Sequence, residues 1–233
     1  NFEVVMIADN FGKLTAGTGA TATDAFGRLR VAELFTLGDY KHLYALDPNF
    51  LDKTGNGGTI TFDTNKAMGT LETSSNTASY AIHQSKFYHH YQPGKSQLIF
   101  SSIKFGYAQQ NVTKRTGYFD DRDGIYFEQV GSNTSNGTDK GTLNFVIRSY
   151  TSGSASEADV GTYKRRVSQS EWNIDPCDGT GPSGYNIDLN RMQMFYIDYS
   201  WYGAGFIDFM MRGSDGNYVF AHRFRNSNYN TEA

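Results

Sequence analysis

"GYFDDRDGIYFEQ", residues 117–129, places an Asp123-Gly124 step between two aromatic runs. Successive side chains of a strand point to opposite faces, and Asp-Gly supplies the positive φ that a tight reversal needs. The stretch predicts a β-hairpin. "FMMRGSDGNYVFAHRF", residues 209–224, repeats the arrangement around Asp215-Gly216. Outward from these hairpins, strand-length segments recur from Gly57 onward with turn residues between them, among them "GTITFDT", "MGTLETS", "SQLIFSSIKFGYAQ", "TLNFVIRSY" and "MQMFYIDYSW". Leu143, Phe145 and Ile147 alternate with Asn144 and Arg148, and Ile99, Ile103, Phe105 and Tyr107 share one side, so one face of each strand is expected in a core.

The helical signal is short. Ser168 and Glu171 have the spacing of a capping box, and with "EWNID" they allow one or two turns. With no helix long enough to cover a sheet, two sheets must bury each other. The expected class is all-β, a two-sheet antiparallel β-sandwich, with a jelly roll as the wiring expected at this strand count. Residues 1–56 differ: "LTAGTGATATDAFGRLRV", residues 14–31, has no sustained period and reads as an extended arm that a partner orders. The organisation read from the chain is therefore an N-terminal arm with first strands over 1–56 and a sandwich domain over 57–233.

Composition agrees. The chain has 233 residues, within the range of one large all-β domain or two small ones, and is rich in Tyr (16), Phe (17) and Gly (25). A formal net charge of −3 gives no footprint for nucleic acid, and the basic runs Lys164-Arg165-Arg166 and His222-Arg223-Phe224-Arg225 read as solvated strand faces. Cys177 stands alone, which excludes a disulfide framework and a cysteine metal site. No apolar run reaches the roughly 18 residues of a membrane span, so a soluble protein without membrane insertion is expected. The start at Asn1 is expected of a processed or partial chain.

The segment that looks most like a site is "DPCDGTGPSG", residues 175–184. A serine-hydrolase elbow needs Gly-x-Ser-x-Gly between strand and helix; Gly181-Pro182-Ser183-Gly184 is one residue short and a strand-like run follows. A dinucleotide loop needs the same following helix. Asp175, Asp178 and Ser183 offer oxygens for calcium, but the alternating acids and closing glutamate of an EF-hand are missing. Two prolines and three glycines fit a stiff corner between sheets. Gly94-Lys95-Ser96 copies the end of a phosphate-binding loop, with His89 where a glycine belongs and a strand after it. Adjacent His89 and His90 would point to opposite faces of a strand, while His42, His83 and His222 are scattered. Asp120, Asp121 and Asp123 are accounted for by the hairpin. The paired acids Glu-x-Asp-x-x-Glu of laminarinase-type sandwiches are absent. The expectation is no catalytic residue, no cofactor and no metal.

The strings "DAFGRLRV", "YQPGKS", "GYFDDRDGIYFEQ", "LNFVIRS", "WNIDPCDGTGPSG", "DYSWYGAGFIDFMM" and "FAHRFRNSN", in this order, resemble a family of virion structural proteins of tailed bacteriophages, notably marine and cyanobacterial ones. The resemblance runs from Asp24 to Asn228. The chain departs from the family at Cys177, where an apolar residue is usual, and at Trp201–Gly205, where Leu-Gly-x-Gly is usual. It implies a non-enzymatic particle component (capsid decoration, fibre or tail) that is made in the bacterial host cytoplasm and resides in the virion. The late aromatic strand with its Gly-Ala-Gly step is also similar, at fold level, to concanavalin and laminin G sandwiches.

Such a component would meet copies of itself and other virion proteins. In the arm, Phe26, Leu29, Val31, Leu34 and Phe35 are the candidate apolar anchors, with Arg28 and Arg30 pairing to acids or carbonyls of a neighbour; the same segment reads equally as a first sandwich strand. Tyr199, Trp201 and Tyr202 are candidates for contact with a host glycan or a subunit. The rival functions are a carbohydrate-binding module and, third, a glycan-degrading enzyme.

Overall fold

The computed structural model describes residues 35–229; Phe26, Arg28, Leu29, Arg30, Val31 and Leu34, and the arm reading with them, lie outside the described residues. The chain is all-β and antiparallel, with one short 3-10 turn, Gln169–Glu171, among the described residues. It divides between Gln92 and Pro93 into two compact units. The change of composition near residue 57 does not coincide with that division.

The smaller unit holds β1 (Phe50–Gly55), β2 (Thr59–Asp63), β3 (Met68–Glu72) and β4 (Tyr80–Ser85). β1 pairs with β4 and β2 with β3, as two separate two-stranded ribbons. None of residues 35–92 is fully buried.

The larger unit holds β5 (Gln97–Ile103), β6 (Thr113–Phe119), β7 (Gly124–Val130), β8 (Thr142–Arg148), β9 (Arg166–Ser168), β10 (Gln193–Tyr199), β11 (Phe206–Arg212) and β12 (Tyr218–Arg225). They form two four-stranded sheets, in the orders β12-β11-β10-β5 and β6-β7-β8-β9. Inward-facing rings join them. Phe127 of β7 meets Phe195 and Phe209 at centroid distances of 4.5 and 5.0 Å, and Phe145 of β8 is stacked between Phe209 at 4.5 Å and Trp172 at 4.0 Å. Phe145 is wholly buried, which contributes about 2–3 kcal/mol. The pair of sheets is sandwich-like, as the alternation implies. Its wiring is not that of a jelly roll, in which successive strands alternate between sheets: β6 to β9 run consecutively in one sheet, β10 to β12 in the other, and β5 returns beside β10. Strand count cannot distinguish these topologies, because each hairpin is local and only the pairing of β5 with β10 is not.

Both expected hairpins form. The loop between β6 and β7 is longer than a two-residue turn: the Asp120 carboxylate accepts from the amides of Arg122 and Asp123 at 2.7 and 2.8 Å, and Gly124 opens β7. A Cβ on Gly124 would lie 2.3 Å from the Phe119 Cα, so glycine serves close approach of the strands as much as its positive φ of 148°. Beyond the 3-10 turn, residues 173–175 run along the outer edge of β12. The amides of Ile174 and Asp175 donate to the Ala221 carbonyl, and the Asn173 side chain bonds both the amide and the carbonyl of Arg223 at 2.9 Å.

Candidate functional site

The 175–184 loop is built around one buried acid. Asp175 accepts from the amides of Cys177 at 2.7 Å and Ser183 at 2.8 Å, and a Cβ at Gly181 would fall 2.2 Å from its Oδ1. Asp178 turns on itself to accept from the amide and hydroxyl of Thr180, and the Ser183 hydroxyl accepts from the Tyr185 amide at 3.1 Å. Cys177 is fully buried at φ 51°, and burial followed by the Asp175 charge pushes its thiol up, out of the reactive range. Every polar group that suggested chemistry here is used to hold the corner. What remains open is a dent of ≈ 150 Å³ between this loop and the β11–β12 turn, lined by Ser183, Tyr185, Ser214 and Asp215 among others.

The densest polar constellation lies on the outer face of the β6-β7-β8-β9 sheet. The strand register brings Arg115 opposite Glu128, Glu128 opposite Asn144 and Val146 opposite Arg166. Glu128 is 1% exposed and receives Arg115 Nε at 2.9 Å, Asn144 Nδ2 at 3.2 Å and the Arg166 guanidinium. Glu157, from the segment between β8 and β9, receives Arg148 Nε and Nη2 at 3.0 and 2.7 Å, the Arg166 guanidinium and the Tyr126 hydroxyl. Arg115 and Arg148 also lie over the Tyr126 ring, each at 5.3 Å. Burial, then the hydrogen bond to Glu157, pushes the Tyr126 phenol up to about 12. Burial also works to raise the Glu157 carboxyl, but the bonds from Tyr126 and Arg148 and the nearby guanidiniums outweigh it and leave it below the usual carboxylate range. The shifts of Tyr126 and Glu157 both run away from neutrality. The network ties the 151–162 segment to three strands.

The basic runs are solvated only in part: Lys164 and Arg225 are exposed, and the others are not. Arg166 belongs to this network, Arg223 forms a two-pronged pair with buried Asp208 at 2.5 and 2.6 Å, and His222 is buried, accepting the Asn173 amide on Nδ1 at 3.1 Å.

In the smaller unit the β1–β4 pairing unites two histidines that are far apart in sequence. His42 and His83 rings lie 5.0 Å apart, with Phe50 stacked on His83 at 4.0 Å. His42 Nδ1 accepts the Asp47 amide at 3.0 Å, and His83 Nδ1 meets Asp52 at 2.5 Å. Burial and then the His83 charge lower the His42 pKa. With one nitrogen of each ring already engaged, the pair is a packed imidazole cluster, and no group of three or more His, Cys, Asp or Glu side chains among the described residues is arranged to hold a metal ion.

The expected contact residues separate. Tyr199 is buried, its hydroxyl bonded to the Gln97 side chain, which closes it to a ligand and corrects its assignment as a glycan contact. Trp201 is half-buried in a turn closed by Gly205 N to Trp201 O at 2.8 Å, whereas Tyr202, at φ 48°, is 53% exposed. Phe35, the one described member of the arm set, is 85% exposed. Sequence reading missed the Arg–Glu network because its members face one another only once strand register is known. No protein-family model, no curated protein and no solved structure matches the chain, so the likeness to virion structural proteins rests on the sequence strings alone.

Proposed function

We propose that this protein is a non-enzymatic structural component of a tailed-bacteriophage virion, a capsid decoration, fibre or tail part, that assembles with copies of itself and other virion proteins through its N-terminal arm and the surface of its β-sandwich. The observation that carries the reading is the contrast between polar and apolar groups. The buried carboxylates Asp175, Glu128 and Asp208, the guanidiniums of Arg166 and Arg223, the Cys177 thiol and the His222 imidazole are engaged in internal bonds, while large apolar side chains such as Phe35, Tyr44 and Tyr88 stand exposed. A second reading, a module that recognises host-surface glycans, is favoured by the dent beside Tyr185 and Asp215 and by exposed Tyr202.

The test is the solution mass of the full chain and of a chain lacking its first 30 residues, each also applied to a glycan array. The assembly reading expects the full chain to be multimeric and the truncated chain to be smaller. An unaltered monomer in both would count against assembly through the arm, and if that monomer bound sugars the glycan reading would replace it.

A further inference from the structure

We infer that residues 35–92 form the self-association surface of this chain, and that its occupant is the same unit of a second copy. The inference rests on the assembly reading and gives it a second, separate surface. Two-stranded ribbons are marginal in water unless something covers one of their faces. Here none of residues 35–92 is fully buried, although they carry four strands. The missing core is matched by exposed apolar groups. Lys86 N donates to Asn49 O at 2.7 Å and Phe50 pairs with Ser85, so the turn before β1 and the exit from β4 lie at one end of the ribbon. Leu43 and Tyr44, 61% and 91% exposed, flank that turn, and Phe87 and Tyr88, 61% and 69% exposed, follow that exit. Leu51 and Ile82, diagonal neighbours across the β1–β4 register, add two partly exposed apolar side chains on one face of the same ribbon.

Three observations select a second copy as the occupant. The six side chains expose on the order of 700 Å² per chain, close to the contribution of one partner to a standard interface of about 800 Å² a side. The unit carries four lysines and five carboxylates, so two copies can meet without strong repulsion and no positive field exists to attract nucleic acid or an anionic bilayer. The outer edges of β1 and β4 bear no further strand among the described residues, and an edge is its own complement under a two-fold axis.

The test is light scattering on the full-length chain over a concentration series, comparing wild type with Tyr44→Ser/Tyr88→Ser, with Tyr44→Lys, and with Met192→Ser as an exposed control on the other unit. Far-UV circular dichroism confirms that each is folded. The expected result is a multimer weakened about tenfold or more by both Tyr44 variants and unchanged by Met192→Ser. A multimer that both Tyr44 variants leave intact but that deletion of the first 30 residues abolishes would overturn the inference and leave the assembly reading standing. A wild-type chain that stays monomeric throughout would overturn the inference as well, and the assembly reading would then depend on other virion proteins.

Discussion

His222 sits on the inward face of β12 with its Nδ1 taken by the Asn173 amide, and burial lowers its pKa to about 4. The unfolded imidazole titrates near 6.5, so between those values the unfolded chain holds a proton that the folded chain refuses. Stability is therefore full above pH 6.5 and falls as the pH drops towards 4, by about 1.4 kcal/mol per pH unit and on the order of 3 kcal/mol in all. His222→Gln keeps an acceptor for Asn173 and removes the proton site. Urea midpoints at pH 7 and pH 4.5 are expected to show a shallower decline in this variant, and equal slopes would mean that the ring is open to water. Nothing in "FAHRFR" marked His222 as buried; the bulge between Phe209 and Met210, which shifts the β12 register, is a tertiary feature. The corner at 175–184 was easier to read from its prolines and glycines, but Asp175 was weighed there only as an oxygen for calcium and not as the buried acid that holds it.

At the scale of elements, the segment "TSGSASEADVGT", residues 151–162, has no periodicity and offers no local reason to be ordered. Glu157 supplies the reason from a distance, by joining Arg148 of β8, Arg166 of β9 and Tyr126 of β7. Its side chain is 20% exposed, and removing its charge leaves three guanidiniums around one remaining carboxylate. Glu157→Gln is expected to cost about 2 kcal/mol, read as a lower urea midpoint with unchanged slope, and to make residues 151–162 cleavable under limited proteolysis. Glu171→Gln, which touches only exposed contacts, with Lys164 and the Ser168 hydroxyl, is the near-silent comparison. The strands themselves were legible, since the alternation in β8 and the aromatic runs on either side of Asp123-Gly124 are visible in the residues. The charge network was not, because its spacing in sequence is arbitrary and its spacing in space is set by register.

At the scale of the whole molecule, one unit has a dense core of fully buried rings, whereas the rings packed around Phe50 in the other are only half-buried and none of residues 35–92 is fully buried. Amide protection should follow. Native-state hydrogen exchange is expected to place β7, β8, β10 and β11 at the global unfolding free energy, while β1 to β4 exchange through local opening and become protected as concentration rises and copies associate. Uniform protection of all twelve strands in dilute solution would contradict the division. The chain's halves were not separable by composition, since "GTITFDT" and "TLNFVIRSY" carry the same kinds of residue. Which strands pair is a non-local fact, and it put β2 to β4 with β1 instead of with the sandwich.

Asn173 has the shape of a peptide group turned sideways, and on the margin of β12 it impersonates one. An unpaired strand margin carries the hazard that neighbouring molecules zip together by strand exchange into fibrils. By spending a side-chain amide on that margin, the fold occupies the donor and acceptor of Arg223, while the 174–175 amides occupy the Ala221 carbonyl, which blunts that stretch of the seam against an incoming strand.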